Sequence, residues 1–455
     1  MTTNHRHTPG RRAVLGGALG GALTGLSACA FTGDGSAASG GAGPSGPADH
    51  LVVWFPGTNQ TEIDLVTGEI VPAFEERTGA TVDVTYLDWG DMSTKLNAAF
   101  AAGTAPDVFG HGPAAVADFA VNDRLEDLGP YLELLEPADL EDMDAALPGG
   151  RVDGTQYLVP LSIQGSLIAY RAGDFREAGL DPDDPPRTWE DLLEVARRLT
   201  VRDGAGTITR SGLLLMSDAI GRQQSFAALL ASAGGRQVDG TSPATAAFDS
   251  PAGATALDYL VTLFAGDPAV AADLGQNYSD LPPEQQPLVT GRASMTMSTA
   301  VRAQSMHDAH PELDLRVMQP LAFSGGEPGV LGGAGPGLMI NKDSAAKELA
   351  WEFISHLLQP EVSGEYTRGI GAIPVRASSV DDPYVQGSPV MTAFVQAADA
   401  WVPNPNVPGW VQARDTLSGF LEQALNERLT PEEALAQAAP AVDEVLAKAA
   451  RAGGA

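Results

Sequence analysis

Short apolar strands and amphipathic helices alternate beyond the first fifty residues, and this alternation constrains the fold more than any other feature of the chain. Leu51–Phe55 is a short apolar run, and Thr81–Leu87 alternates apolar with polar residues. Apolar residues over 63–74 and again over 91–102 recur at helical spacing, and another short strand follows at 107–109. Strand, helix, strand, helix, strand in this order is typical of βαβ units, so the pattern predicts an α/β fold with a largely parallel sheet.

The alternation continues towards the C-terminus and calls for more than one core. Strand-like runs at 157–161 and 167–171 precede Thr188–Asp191 (TWED), which has the form of a capping box at a helix start. Thr430–Glu433 (TPEE) combines an N-cap, a proline at the first helical position and a glutamate at the third. Roughly 400 residues follow the N-terminal segment, more than one hydrophobic core usually holds, so two lobes are predicted.

The N-terminal segment has the pattern of an export signal. Arg11 and Arg12 precede an uncharged run over 13–28. This run is short and rich in glycine, which does not suit a bilayer-spanning helix. We therefore predict a signal peptide over 1–28, and the paired arginines favour the twin-arginine route over the general one.

The end of this segment predicts a lipid anchor. Leu26–Cys29 (LSAC) resembles a bacterial lipobox, in which the cysteine sulfur takes a diacylglyceryl group, and Cys29 is the only cysteine of the chain. An uncleaved anchor helix, or a plain secretory signal with a chance cysteine, are the alternatives. Residues 29–49 are rich in Gly, Ser, Ala and Pro and are expected to form a lipidated, flexible linker.

The charge of the chain excludes two classes of partner. The formal net charge is −31 at pH 7, and the predicted leader carries Arg6, Arg11 and Arg12 but no acid, so its removal would bring the charge to −34. Nucleic acids and anionic lipid surfaces require a basic protein surface, so neither is expected to bind. The acidic residues are spread along the chain and do not indicate a cationic ligand.

Seven parts of the sequence occur in an order that resembles a known family. They are LVVWFPG, IVPAFEERTGATVDVTYLDW, KLNAAFAAGTAPDVF, YLVPLSIQGSLIAYRAGDFREAGL with PPRTWEDLLEVARRLT, GRASMTMS, GGAGPGLMINKDSAAKELAWEFISHLL with GAIPVR, and TPEEALAQAAPAVDEVL. In this order they resemble the bacterial extracellular solute-binding proteins of ABC transporters, in the sugar-binding family that is similar to maltodextrin-binding protein. The resemblance covers nearly all of residues 50–450.

The resemblance implies a fold. It is an α/β, two-lobed, periplasmic-binding-protein-like fold of type II, with discontinuous lobes joined by a hinge and a ligand cleft between them. Lobe 1 is expected to comprise residues 50–160 and 320–372, and lobe 2 residues 161–319 and 373–455. Open α/β sheets bind ligands beyond the carboxyl ends of their strands, and hinge motion would bury the ligand.

The resemblance also implies ligand contacts at strand ends in lobe 1. Gly57, Thr58 and Asn59 follow the first strand, where the family has polar ligand contacts, with a simple turn into the helix as the alternative. Trp89 follows the second strand and either faces the cleft or packs inside the lobe. His111 lies where the family often has an aromatic stacking residue, and its alternative role is to cap the following helix.

The remaining candidate contacts come from lobe 2 and from the returns between the lobes. They are Gln164 at a strand end, Gln223 in a polar patch at a helix start, Ser298 after a strand, Gly333 at a lobe return, and the pair Trp410 and Arg414 on one helix face. The alternatives are a solvated patch for Gln223 and a tryptophan that covers the lobe junction for Trp410. Val301 stands near a position where maltodextrin-binding protein has a tryptophan, which argues against a long stacked oligosaccharide.

The sequence gives little support to an enzyme. It contains no Gly-x-Ser-x-Gly elbow, no phosphate-binding loop with Gly-Lys and no His-Glu-x-x-His. His307 and His310 have a spacing that could hold a metal, but a solvated helix end explains them more simply, and no metal or cofactor is expected. Arg222, Arg376 and Arg414 leave room for a phosphate or carboxylate on the ligand.

The resemblance implies a monomeric, non-enzymatic binding component of an ABC importer. It would carry a carbohydrate or other polyhydroxylated small molecule to the permease subunits, outside the cytoplasm, and would touch the cell membrane through its lipid anchor only. An extracellular glycoside-acting enzyme and a tethered sensor or adhesion module are the alternative functions.

Overall fold

The computed structural model describes residues 49–279 and 281–453. The predicted signal peptide over 1–28, the lipid on Cys29 and all but the last residue of the linker over 29–49 lie outside the described residues. Within the described part, no helix combines the length and the hydrophobicity that a bilayer crossing requires.

The strands of the described residues are short, as the sequence pattern predicts. In chain order they are β1 His50–Pro56, β2 Thr81–Leu87, β3 Val108–His111, β4 Arg151–Val152, β5 Thr155–Gln156, β6 Val159–Pro160, β7 Ile163–Arg171, β8 Val201–Arg202, β9 Ile208–Arg210, β10 Val238–Asp239, β11 Thr245–Ala246, β12 Met295–Thr299, β13 Leu315–Val317, β14 Val330–Ala334, β15 Gly337–Ile340 and β16 Trp401–Val402.

The helices fill most of the chain between these strands. In chain order they are α1 Gln60–Leu65, α2 Val71–Thr78, α3 Trp89–Ala102, α4 Val116–Val121, α5 Gly129–Leu132, α6 Pro137–Asp142, α7 Ala172–Glu177, α8 Trp189–Leu199, α9 Ala219–Ser232, α10 Pro251–Ala265, α11 Pro287–Thr290, α12 Ala300–Ala309, α13 Lys347–Leu358, α14 Pro360–Ile370, α15 Pro383–Gly387, α16 Pro389–Gln396, α17 Trp410–Leu425 and α18 Pro431–Gly453. A π-helical turn, Val66–Ile70, joins α1 to α2 without a break.

Two predicted helix starts are capped as expected. The Thr430 hydroxyl accepts from the Glu433 N–H at 3.2 Å, and the Glu433 carboxylate accepts from the Thr430 N–H at 3.0 Å, which is a complete capping box. The Thr188 hydroxyl accepts from the Asp191 N–H at 3.2 Å. Both caps satisfy backbone donors that the first turn of a helix leaves without a partner.

The first sheet has the strand order β2-β1-β3-β15-β6. β1 runs parallel to β2 and β3, as the alternation predicts, whereas β15 is antiparallel to both of its neighbours. Val108 and Phe109 on β3 are both fully buried, since successive side chains of the strand enter clusters on opposite faces of the sheet. Helices α2 and α13 cover one face, where Phe74 and Phe353 meet edge to face with ring centroids 5.3 Å apart.

The second sheet has the order β12-β7-β14-β16, and β13 also pairs with β7. Every pairing to β7 is antiparallel, and only β14 and β16 run parallel in this sheet, so the predicted largely parallel arrangement holds for β1, β2 and β3 of the first sheet but not for the second sheet. The core beside the second sheet is aromatic and closed. It includes Trp189, Phe226, Phe248 and Trp410, each at most 2% exposed.

Three chain segments cross between the sheets, and they hydrogen-bond to one another where they cross. The Gly335 N–H donates to the Ser162 carbonyl at 2.8 Å, which ties the second crossing to the first. The Ile163 N–H donates to the Ile373 carbonyl at 2.9 Å, which ties in the third. These crossings form the hinge of a two-lobed, discontinuous α/β fold of the type II periplasmic-binding class.

The position of β14 corrects one expected boundary. The sequence assigns 320–372 to lobe 1, but β14 pairs with β7 in the second sheet, with Gly332 opposite Gly165 and Gly333 opposite Gln164. The chain joins the first sheet only at β15. The β14 segment is glycine-rich and carries no hydrophobic periodicity that could assign it to either sheet.

Glu62 in the first lobe is half-buried, and two tyrosines, Tyr366 and Tyr86, lie near its carboxyl group. Glu62, in the first turn of α1, accepts from the Tyr366 hydroxyl at 2.8 Å. Tyr86 at the end of β2 has a buried hydroxyl without a hydrogen-bond partner among the described residues. Burial raises the pKa of Glu62 to about 7. Burial and the negative charge of Glu62 both raise the pKa of Tyr86, which indicates that the two groups are close.

Ionisation of Glu62 should lower the folding stability of the wild type as the pH rises, and Glu62→Gln should remove this loss. Because the pKa of Glu62 rises from 4.5 to about 7 on folding, its favourable contribution is complete below pH 4.5 and is lost as the pH rises through 7. Glutamine keeps an acceptor for Tyr366 without a charge, so the variant should exceed the wild type by about 1–3 kcal/mol at pH 8 and nearly equal it at pH 4.5.

Urea unfolding of both proteins at the two pH values measures this difference. Glu69→Gln, which changes an exposed glutamate in the π-helical turn after α1, is the control and should show no such pH-dependent gain. A gain for Glu62→Gln that is equal at both pH values would contradict the role of the charge.

Candidate functional site

Three of the predicted contacts meet at one edge of the first sheet. Gly57, Trp89 and His111 lie at or just after the carboxyl ends of β1, β2 and β3, which are parallel and therefore end at the same edge. A Cβ on Gly57 would lie 3.3 Å from Trp89 Nε1, and the rings of Trp89 and His111 stand edge to face with centroids 5.9 Å apart. Gly57 has φ +107°, a conformation that favours glycine.

His111 is held as a neutral imidazole. Its Nδ1 accepts from the Gly112 N–H at 2.9 Å, so a neutral ring carries its proton on Nε2, which lies 3.0 Å from Ser93 Oγ. Burial and the positive charge of Arg414 lower the pKa of His111 to about 4. The following 3-10 turn and α4 have no side-chain cap, so the structure does not show the alternative capping role of His111.

Ser93 is a further candidate site residue, which was not predicted from the sequence. It lies on α3, four residues after Trp89, so the two side chains project from the same face of that helix. This spacing, in a helix that begins at a candidate residue, is the signal that would have found it. With His111 as donor, the Ser93 hydroxyl keeps its own proton free to donate.

Thr58 and Asn59 are exposed beside Gly57. The Asn59 side-chain oxygen accepts from the Thr61 N–H at 3.1 Å and so caps α1, as the turn alternative proposes. Its amide nitrogen is not used by this cap. The helix cap uses the side-chain oxygen of Asn59, and a ligand contact could use its side-chain nitrogen, so the two proposed roles are compatible.

Gln164 and Gly333 pair in register beside the hinge, on β7 and β14. Gln164 is exposed. Gly333 has φ +125°, and a Cβ there would lie 3.5 Å from Pro403. A glycine at this position allows the segment that contains Pro403 to approach the sheet closely.

Three predicted contacts are corrected by their burial inside the second lobe. Gln223 and Ser298 are 0% exposed and Trp410 is 1% exposed. The Gln223 amide donates to the Gln237 side chain, the Ser298 hydroxyl donates to the Thr299 carbonyl at 3.3 Å, and Trp410 packs in the aromatic core. A polar or aromatic residue at a helix start or strand end can turn inward or outward, and sequence spacing does not decide which.

Of the three arginines considered for an anionic ligand, only Arg414 lies near the candidate contacts of lobe 1. Arg222 donates to Ser418 and Glu422, and Arg376 donates to Asp139 and to the Leu358 carbonyl, so both are committed to internal partners. Among the residues that the structure describes, the Arg414 guanidinium hydrogen-bonds only to its neighbour Asp415, with Nε and Nη2 at 3.0 and 2.9 Å from one carboxylate oxygen.

Arg414 reaches the first lobe electrostatically. It lies on α17, which belongs to the second lobe, yet its charge lowers the pKa of His111 on β3. The two side chains are therefore close enough for the charge of one to act on the other across the lobe boundary. Together with Trp89, which is 40% exposed, they offer an aromatic face, a guanidinium and nearby hydroxyl and amide groups.

Comparison with known proteins identifies the family. A model described as bacterial extracellular solute-binding protein matches residues 57–363. This match spans well over half of the chain, so the protein belongs to that family. It is an extracytoplasmic solute-binding protein of the ABC-transporter class.

Individual relatives are distant in sequence and similar in fold. A periplasmic-binding protein of Sinorhizobium fredii, named for an amino-acid ABC transporter, is 24% identical over 329 residues, which are 68% of this chain and 69% of the relative. A solute-binding protein of Thermotoga lettingae, solved with α-D-tagatose, has a TM-score of 0.75 at 24% identity and aligns over 88% of this chain and all of its own. The cyclic α-maltosyl-1,6-maltose-binding protein of Arthrobacter globiformis has a TM-score of 0.72 at 25% identity over 88% and 99% of the two chains.

Trp89→Ala should lower the affinity for solute, whereas Trp410→Ala should lower the folding stability. Trp89 is exposed, so its loss should weaken binding of a stacked solute about tenfold and leave the unfolding temperature nearly unchanged. Trp410 is buried, so its loss should cost about 3–5 kcal/mol of folding stability.

Isothermal titration with the best-binding solute and thermal unfolding of each variant test this contrast. Trp89→Phe, which keeps a flat ring, is the matched control and should retain most of the affinity. Unchanged affinity in Trp89→Ala would remove this ring from the site.

Proposed function

We propose that this protein is the substrate-binding lipoprotein of an ABC importer and that it binds a sugar or sugar-like solute in the cleft between its lobes. The observation that carries the proposal is the exposed Trp89 ring, packed edge to face against His111 at the strand ends of lobe 1, with Arg414 of the second lobe close enough for its charge to act on His111. An exposed ring suits the apolar C–H face of a sugar, and the surrounding donors and acceptors suit its hydroxyls. The sugar ligand of the Arthrobacter relative supports the same class.

An amino-acid ligand, suggested by the name of the Sinorhizobium relative, fits the site less well. An α-amino acid brings a carboxylate and an ammonium, and each requires a partner of opposite charge when it is buried. Arg414 could meet the carboxylate. The exposed candidate contacts Thr58, Asn59, Trp89 and Gln164 carry no negative charge to meet the ammonium.

The protein is proposed to perform no chemistry on its solute. Ligand would stabilise the closed arrangement of the lobes, and the permease subunits would recognise that arrangement. A glycoside-acting enzyme would instead place two carboxyl groups about 5–9 Å apart across the scissile bond. The candidate contacts of this cleft are neutral apart from Arg414, which favours binding over hydrolysis. A monomer is sufficient for this role.

A thermal-shift screen of monosaccharides, disaccharides, polyols and amino acids tests the proposal. A sugar at about 100 times its dissociation constant should stabilise the folded protein by about 2.7 kcal/mol and be recovered unchanged. Stabilisation by amino acids alone would overturn the choice of ligand class. Release of reducing ends from a glycoside would overturn the binding function in favour of the enzyme.

The lipid on Cys29 is proposed to hold the protein beside its permease. A linker of about twenty residues would confine the two-lobed body near the membrane and raise its effective concentration there. The same anchor would also fit a tethered sensor or adhesion module, which has no need of permease subunits. Genes for two permease subunits beside the gene for this chain would favour the importer.

Cys29→Ala should release the protein from cells without changing its affinity for solute. The substitution removes the only thiol that could take the lipid and lies outside the binding lobes. Immunoblots of membrane and medium fractions measure the release, and titration of the shed protein measures the affinity. Retention of the variant in the membrane fraction would favour an uncleaved anchor helix. Ser27→Ala, which keeps the cysteine, is the control.

A further inference from the structure

A short proline-rich segment links the second lobe to the first through side-chain hydrogen bonds. Asn406 precedes α17 and uses both ends of its amide on backbone groups of the first lobe. Its Oδ1 accepts from the Ala117 N–H at 2.9 Å, and its Nδ2 donates to the Arg151 carbonyl at 3.1 Å. An amide whose donor and acceptor are both matched is held in one orientation.

A second contact joins the same two parts of the molecule. The Gly409 N–H donates to the carboxylate of Asp118 on α4 of the first lobe. Gly409 has φ +82° and is the residue immediately before α17, so its N–H would otherwise be one of the unsatisfied donors at a helix start. Val411, two residues on, packs against the cluster that contains Phe109 and Phe119.

The segment is anchored equally firmly in the second lobe. Val407 and Trp410 are 5% and 1% exposed in the aromatic core. Asn404 accepts from the Gln237 side chain at 3.4 Å, and Gln237 accepts in turn from the buried amide of Gln223. The start of α17 is therefore fixed to both lobes, and Arg414 lies about one helical turn beyond it.

We propose that this structure shows the closed arrangement of the lobes and that Asn406 and Asp118 form an interlobe clasp that favours it. The clasp touches backbone groups only, so it would stabilise closure whatever solute is bound. The apparent dissociation constant of a solute that binds the closed form is the intrinsic constant divided by the closed fraction. Loss of the clasp should therefore weaken binding without removing a ligand contact. The effect on affinity depends on the proposed solute-binding function.

Asn406→Ala should raise the dissociation constant of the best-binding sugar about three- to tenfold, mainly through faster dissociation. Asn406→Asp keeps the acceptor for Ala117 but turns a second acceptor oxygen towards the Arg151 carbonyl, so it should not restore the wild-type affinity. Asp118→Ala should weaken binding more than Asp118→Asn, because asparagine retains an oxygen that accepts from Gly409. Asn426→Ala is the matched control, since that amide bonds only within its own helix, to the Glu422 carbonyl at 2.8 Å.

Small-angle scattering of the ligand-free proteins tests the clasp independently of the proposed solute binding. Asn406→Ala should have a larger mean radius of gyration than the wild type, at an unchanged unfolding temperature. Asn426→Ala should have the wild-type radius of gyration. If no sugar binds, the proposed function fails, yet this shift would still support the clasp. If Asn406→Ala matches Asn426→Ala in both scattering and affinity, the clasp is wrong even though the protein binds sugar.

Discussion

The backbone hydrogen bonds between the three crossings are the constraint on which the rest of the structure depends. Gly335 bonds to Ser162, and Ile163 bonds to Ile373, so the three connections between the sheets form one small unit. A change in the angle between the lobes must be absorbed by the few residues around these bonds, while each sheet moves as a rigid body. Because segments distant in sequence meet here, each lobe is necessarily discontinuous.

The site follows from this arrangement of sheets. In the first sheet, parallel β1, β2 and β3 deliver Gly57, Trp89 and His111 to one edge. The second sheet is antiparallel around β7. The second lobe instead supplies its cation from α17, which brings Arg414 towards His111. The first lobe therefore contributes candidate contacts from strand ends, and the second lobe contributes a cation from a helix.

The sequence predicts the parts of this molecule that are set by local patterns. The strand–helix alternation predicts β1 to β3, and the Thr430 capping box is found as expected. Local pattern does not determine which way a side chain turns. Trp410 and Arg414 are four residues apart and so share a helix face, but Trp410 is the first residue of α17 and its ring enters the core.

Long-range contacts explain the other differences between sequence and structure. β14 is assigned to the second sheet by its pairing with β7, a contact between segments about 170 residues apart. The environment of Glu62 arises only because α14 returns beside α1 and brings Tyr366 with it. Residues of this kind carry no signal in their own neighbourhood, because the partners that define them come from distant parts of the chain.

The neutral state of His111 determines what the first lobe can offer a solute. Its Nδ1 is occupied by the Gly112 N–H and its Nε2 proton points to Ser93, so the ring has no free polar atom for a ligand. The imidazole therefore acts by fixing the Ser93 hydroxyl as an acceptor, which leaves the hydroxyl proton to be donated outwards. Arg414 favours this state, since a second positive charge beside the guanidinium would be repelled. Burial is the larger cause of the neutral imidazole, and the charge of Arg414 in the opposite lobe reinforces it.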